Sequence, residues 1–571
     1  MTSVSSTTSS TTSTTTSYSQ NRNEFDTDAL VEAAYEDKLA KADSLNVSVT
    51  NNETKIAAYE DMQTLLQTVE DSLDTLRSAP GTAGKASDVF LNRTTYLTSS
   101  SSTAASGILS ATVEDGTDIG THDVEVTQVA KVERLGGGSV ESRTEDLGWT
   151  GTFSLGTKAT SDGLSTTGTQ STDISITSDM SLDDIVDTIN AAKATTGVTA
   201  SVVKSSDTAY MIVLSGVETD RDITLSTVSG DDVLNNLGLT DESGDKVDPL
   251  QAAQGAIVTV DSVPITRSTN EIDDAIDGVT LNLYKAEEGN TLTLEVANDL
   301  SEISTQINDF VTAYNSFRDL VLTNQTTGTD GAASDDATLF GDSLLRSTSM
   351  SLQSILGSSI DGTSLATIGI TLDSSNKLVI DDSTLEDALT NSLSDVQALF
   401  SYQVTTSSGN LQLLSHGDGP TSADFDLKIT VDETTGSISS ASIDGDSSLF
   451  TVSGSTIKGA EGSIYEGLSF VFTGKTTQTV SIKVSQGIAD QLYQAIDTVA
   501  NSDDGQITDK ITSLEETNSD LETRISTIET NAESYRDFLL DKYANIEAKL
   551  AKAQSVLDLL EALNDAESSS S

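Results

Sequence analysis

At 571 residues the chain has room for about three or four domains of ordinary size, and with 36% hydrophobic and 4% aromatic residues their cores must be small and aliphatic. Its 30 Lys and Arg stand against 89 Asp and Glu, a formal charge of −59 that repels phosphate backbones and anionic lipid and so excludes nucleic acid as a natural partner. The absence of Cys removes disulfides, thiolate metal sites and Cys nucleophiles, and His122 and His416 alone cannot furnish a multi-histidine centre.

Residues Met1 to Asn21 are almost entirely Ser and Thr, without the basic, apolar and cleavage regions of a secretory signal. Such composition cannot offset its ordering entropy, so residues 1–24 are expected to be a disordered tail. A disordered export signal has the same composition, and both readings stand. No apolar run reaches 18 residues, so no membrane insertion is expected.

From about Asp28 to Ala79 the spacing predicts helix. Ile56, Tyr59, Met62, Leu66, Val69, Leu73 and Leu76 step by three and four, and Pro80 closes the run. Between Lys85 and Val296 the period becomes two, as in Asp123-Val124-Glu125-Val126-Thr127, Val258-Thr259-Val260-Asp261 and Leu292-Thr293-Leu294-Glu295-Val296. One short helix, Ser181 to Ala192, interrupts these strands. After Asn298, Asp299 and Glu302 suit a capping box, and Ile303, Ile307, Phe310, Tyr314, Phe317 and Val321 line one stripe. Ser343 to Leu356 and Thr384 to Phe400 read as further helices, and Val404 to Val484 as a second strand-rich block.

The end of the chain carries the strongest periodicity. Ile507, Ile511, Leu514, Asn518, Leu521, Ile525, Ile528, Ala532, Tyr535 and Leu539 alternate steps of four and three. Tyr543, Ile546, Leu550, Ala553, Leu557 and Leu560 resume the pattern after one four–four step, which should locally unwind a supercoil. A 3.5-residue repeat of that length wants a partner helix along a span of roughly 80 Å. Asn518 at a seam position costs stability and fixes register. The predicted fold class is therefore α+β, with long terminal coiled-coil helices and a helical leg domain around nested, inserted β-rich domains. The coiled-coil assembly interface is assigned to Leu66, Val69, Leu73 and Leu76 with Ile507, Ile511, Leu514, Leu521, Ile525, Ile528, Tyr535, Leu539, Ile546, Leu550, Leu557 and Leu560.

No set of residues forms a catalytic constellation, and neither enzyme activity, cofactor nor metal is expected. Carboxylates are abundant enough to meet anywhere, which makes a solvated acidic surface the plainer reading. Asp432-Glu433 before Gly436, and Asp503-Asp504-Gly505, look like calcium loops but lack the alternating ligands and terminal Glu of an EF-hand. Gly136-Gly137-Gly138 lacks the spacing and Lys of a phosphate loop and reads as linker. His122, with no second His nearby, reads as a polar edge residue.

Several stretches resemble the flagellar filament-capping family, also called flagellar hook-associated protein 2. Phe25-Asp26-Thr27-Asp28-Ala29-Leu30-Val31 is similar to the family's opening before its first long helix. Gly120 to Ala130 resembles its Gly-Thr-Tyr-x-Ile-x-Val-Thr-Gln-Leu-Ala strand, and Met180 to Asn190 the Ile-Asn motif of hook and flagellin-related proteins. Val263 to Asn270 with Ile272, Ala275-Ile276 and Gly278 to Leu281, then Leu339 to Arg346, Ile368 to Asp373 and Gly487 to Leu492, follow in family order. The Ser/Thr-rich extension and the 404–485 block depart from the pattern.

The resemblance implies a folded-back chain. Residues 25–80 would be N-terminal leg helices, 85–132 with 252–298 a first β-rich plate domain, and 133–251 a second inserted into it. Residues 299–403 would form a helical leg region, 404–485 an extra β-rich insertion, 486–561 the C-terminal coiled-coil helix and 562–571 a disordered tail. It also implies export through the flagellar channel and assembly as a homo-oligomeric ring of about five copies at the distal filament tip. There the ring would retain flagellin and promote its folding and insertion. Flagellin, the hook–filament junction protein and the export machinery with its chaperone are the implied partners. A secreted adhesin or surface stalk, sharing the Ser/Thr richness, β lobes and coiled coil, is the alternative.

Overall fold

The computed structural model describes residues 26–78, 87–160, 168–328, 331–417, 419–432 and 434–568. The expected tail at 1–24, Pro80 and Glu433 lie outside them. The fold is α+β, and the described residues fall into two compact units.

The first unit takes in residues up to 67, Ser316–Met350 and Ile496–Ser571. Its framework is the helix Thr27–Asp74, up to residue 67, and the helix Gln506–Ser568. The Asp26 carboxylate starts the first by accepting the Ala29 N–H at 3.0 Å. At 63 residues the second is about 95 Å long. It continues to Ser568, where a disordered tail from 562 was expected. Where one helix was expected across 486–561 there are two, Ile488–Ala500 and Gln506–Ser568. The turn between them contains Asp503-Asp504-Gly505. The Gly505 N–H donates to the Asn501 carbonyl at 3.0 Å, and a Cβ there would lie 2.5 Å from that carbonyl, so the backbone turns only on glycine.

The second unit, Thr68–Asn315 with Ser351–Ala495, holds three β bodies. In the first, a five-stranded antiparallel sheet has the order Arg93–Ser99, Leu292–Asn298, Gly120–Gln128, Ala256–Val260, Val263–Arg267. A three-stranded sheet, Glu271–Ile276, Val279–Leu283 and Leu109–Val113, closes its core over Val124, Val126, Val258 and Leu294. Alternation explains the burial: Val124 and Val126 point in while Asp123 and Thr127 face out.

The second body pairs Arg134–Val140, Ala209–Gly216 and Val198–Ser206 in one sheet, and Gln170–Ile176, Gly151–Ala159 and Arg221–Gly230 in another. The helix Leu182–Ala191 buries Ile185 and Ile189 against them. The chain passes between these two bodies on two segments joined by isolated antiparallel bridges. Lys131 and Gln254 exchange backbone hydrogen bonds, as do Arg134 and Gln251, and the Gln251 and Gln254 amides cap the carbonyls of Val132 and Val129. Gly136-Gly137-Gly138 is therefore not linker but strand. A Cβ on Gly137 would collide with the Leu237 carbonyl, and Gly138 N–H donates to that carbonyl at 2.7 Å.

The third body is a sandwich of two four-stranded sheets. One has the order Tyr402–Thr406, Gln478–Gln486, Ser422–Val431, Ile438–Ser442, and the other Leu411–Ser415, Ser469–Phe472, Thr456–Gly459, Phe450–Ser453. Phe425, Phe450 and Tyr465 stack in its core. The helices Asp382–Asn391 and Leu393–Phe400 precede it.

Candidate assembly interface

Within the first unit the two long helices run antiparallel, and their side chains fix the register. The Thr27 hydroxyl donates to Glu547 at 2.8 Å, and the Asn52 amide donates to the Asn518 carbonyl at 2.8 Å. The Gln63 amide donates to the Thr508 hydroxyl at 3.1 Å. Two cation–aromatic contacts lie between the outer pairs and are reciprocal: Lys38 over Tyr535 at 5.3 Å, and Arg536 over Tyr35 at 5.1 Å. Ile525 packs with Ala42 and Val49, flanked by Leu45, Leu521 and Ile528.

The assigned interface residues divide into three groups. Leu66, Val69, Leu73, Leu76, Ile507, Ile525 and Leu539 are buried. Ile511, Leu514, Leu521 and Ile528 are half-buried. Tyr535 is 38% exposed, Ile546 41%, Leu550 60%, Leu557 59% and Leu560 56%. Leu539 is the last of these residues to be buried, and it precedes the four–four step. Val556, Leu559 and Leu563 are also exposed, so apolar surface covers more than one face of the final turns.

The N-terminal half of the seam escaped the periodicity argument. Val31, Ala42 and Val49 are buried in it, but Tyr35, Lys38 and Asn52 stand at the intervening steps and dilute the apolar signal. The first unit also holds Tyr59, whose hydroxyl donates to Asp342 at 2.7 Å and whose pKa burial pushes up.

Asp432, His122 and the Ile-Asn pair have structural partners. Asp432 accepts the Thr434 and Thr435 N–H groups, and the Thr435 N–H leads in holding its carboxyl below the ordinary range. His122 lies near the start of the third of five strands, paired with Leu294 on one side only, and its Nδ1 lies 2.8 Å from Asp261. In the Ile-Asn pair, Ile189 enters the core while Asn190 both donates to and accepts from the Ala200 backbone, at 3.0 and 2.9 Å.

Comparison with known proteins gives matches in chain order. Residues 23–133 match the family model described as flagellar hook-associated protein 2 N-terminus, and 253–555 the one for its C-terminus. Residues 163–217 match the flagellin hook IN motif. Flagellar hook-associated protein 2 of Escherichia coli O157:H7 is 34% identical over 359 residues, covering 60% of this chain and 75% of that protein. The A-type flagellar hook-associated protein 2 of Pseudomonas aeruginosa is 26% identical over 53% of this chain and 65% of its own. The crystal structure of the flagellar cap protein FliD D1-D2-D3 domains from Escherichia coli has 31% identity and a TM-score of 0.44, covering 60% of this chain and 90% of that one.

Proposed function

The chain belongs to the flagellar hook-associated protein 2 family, and from that premise we propose that it is a structural cap at the distal tip of the bacterial flagellar filament. As an exported protein it holds flagellin at the tip and promotes its folding and insertion during elongation. No relative reported above supports the adhesin or surface-stalk alternative.

The observation that carries the working part of this reading is the exposed stripe of Leu550, Leu557 and Leu560. Thr27 and Glu547 make the outermost of the described side-chain contacts between the two helices, and Leu550, Leu557 and Leu560 lie beyond it. A helix with an uncovered stripe gains by packing against helices of another subunit, whether a second copy in a homo-oligomeric ring, flagellin or the junction protein. Many modest contacts of this kind suit a cap that advances as each flagellin is added.

The test is electron microscopy of filament tips in a strain lacking the gene, with purified protein supplied. Plates at the tips, together with loss of flagellin to the medium when the protein is withheld, support the cap. Filaments of normal length without it overturn the reading.

A further inference from the structure

His416 and Asp490 form a buried pair, 4% and 0% exposed, that no element of the capping role uses. His416 lies in the β sandwich bounded by Tyr402 and Gln486, whereas Asp490 lies on the helix Ile488–Ala500. The Tyr402 ring stacks on the imidazole at 3.9 Å, and the Tyr402 N–H donates to the Arg77 carbonyl. The pair thus sits where the sandwich meets the 488–495 part of that helix and the turn after the N-terminal helix, residues that all belong to the second unit.

The hydrogen bonds leave one proton to be placed. His416 Nδ1 lies 3.0 Å from the Gly417 carbonyl, which only accepts, so Nδ1 carries a hydrogen. The other ring nitrogen, Nε2, has no hydrogen-bond partner and lies 3.5 Å from Asp490 Oδ1, which has none either. Asp490 Oδ2 is occupied, accepting from the Gln486 amide at 2.6 Å and the Gln494 amide at 3.4 Å. A bare imidazole nitrogen and a carboxylate oxygen face each other as two acceptors, which in a buried site is unfavourable. One proton between them makes either an imidazolium–carboxylate pair or a carboxylic acid donating to imidazole.

Other charges nearby do not supply that proton. Arg77 Nη1 lies 3.8 Å from Asp490 Oδ1, an ion pair beyond hydrogen-bond distance, while its Nε and Nη2 hold Asp74 at 2.9 Å and its guanidinium lies over the Tyr493 ring at 3.7 Å. Tyr493 also feels Glu70, and Tyr402 donates its hydroxyl to the Pro420 carbonyl. Burial pushes the Asp490 carboxyl up, opposed by His416, the Gln486 amide and Arg77.

We propose that His416 and Asp490 hold a shared proton that latches the 402–486 sandwich to the first turns of the following helix, residues 488–495. In an opened, solvated seat above neutral pH an imidazole is neutral and a carboxyl ionised, so the pair sheds its proton on opening. The closed seat binds more protons than the open one. Its stability is therefore present at lower pH and lost as pH rises, with about a tenfold rise in the opening constant per pH unit once the open pair is deprotonated.

Hydrogen–deuterium exchange of the full chain, followed by mass spectrometry from about pH 7 to 9 and corrected for intrinsic exchange, measures that opening. Peptides at 402–417 and 478–486 should open about tenfold more per pH unit in the wild type. In Asp490→Asn the amide can donate to bare Nε2, so the slope should vanish. A flat wild-type profile, or an undiminished slope in Asp490→Asn, overturns the proposal. A variant that fails to fold leaves a second measurement. With only two histidines in the chain, ¹⁵N-histidine spectra of His122→Gln report His416 alone. A hydrogen on Nε2, or a hydrogen bond to it from the Asp490 carboxyl, at neutral pH supports the latch, and an Nε2 with neither from pH 6 to 8 overturns it.

Discussion

Asn52 and Asn518 meet across the antiparallel helices, the amide of one donating to the side-chain carbonyl of the other at 2.8 Å. Neither amide has an equally good apolar substitute on one side alone. Asn518→Leu should cost about 1–3 kcal/mol, because it leaves the Asn52 amide without its partner in a half-buried seam. The double variant Asn52→Leu with Asn518→Leu should recover that loss and exceed the wild type in urea unfolding followed by far-UV circular dichroism. Register should loosen at the same time. The chain has no native Cys, so disulfide formation in Thr27→Cys with Glu547→Cys reads register directly, and it should fall in the double-Leu background. A single variant as stable as the wild type would show that the pair does not hold the seam.

Glu133 sits at the start of the second β body with its carboxylate almost wholly buried, accepting Lys246 at 2.7 and 2.9 Å and the Ile223 N–H. Lys246→Met should destabilise this body by about 3–5 kcal/mol, since it strands a buried charge. Adding Glu133→Gln should restore much of the loss. The sole Trp, Trp149, packs on the same core, so its fluorescence during urea unfolding reports this body. Equal effects of the single and double variants would contradict the coupling.

Ser181 and Asp184 close a reciprocal capping box at the helix Leu182–Ala191. Ser181→Ala should cost about 1 kcal/mol at neutral pH. The Ser181 hydroxyl, followed by its backbone N–H, holds the Asp184 carboxyl below the ordinary range. A depressed folded value means that the contribution is present above the unfolded value and is lost as pH falls through the depressed one. The gap between wild type and Ser181→Ala should therefore narrow below about pH 4. A gap that is constant with pH would remove the carboxylate from the cap.

How much of this was legible in the sequence depends on whether the signal is periodic or spatial. Val124 and Val126 declare their strand because alternation is a local property, and Ile525 declares its seam because the 3.5 repeat around it is apolar. The facing seam at Tyr35, Lys38 and Asn52 is as regular in spacing but polar in chemistry, and a hydrophobicity argument passes over it. Gly136-Gly137-Gly138 looked like linker because composition does not reveal a neighbouring backbone, here Leu237, close enough to demand glycine. His416 and Asp490 lie far apart along the chain and meet only through the fold of the sandwich.

Self-association should strengthen as salt rises. At −59 each copy repels every other, and the exposed stripe of Leu550, Leu557 and Leu560 is flanked by Glu547, Asp558, Glu561 and Asp565, with Lys549 and Lys552 only a partial offset. Bringing stripes together therefore sets apolar burial, which is nearly indifferent to modest sodium chloride, against repulsion that salt screens. The screening length falls from about 30 Å at about 10 mM salt to less than about 8 Å at about 500 mM, shorter than the spacing of helices in a bundle. Sedimentation velocity at these two concentrations should show larger assemblies at the higher one. Leu550→Ser with Leu557→Ser and Leu560→Ser should remove that gain without altering the second unit, which separates screening of a specific contact from general salting-out. Equal assembly at both concentrations, or a gain that survives the triple variant, would place the association surface elsewhere.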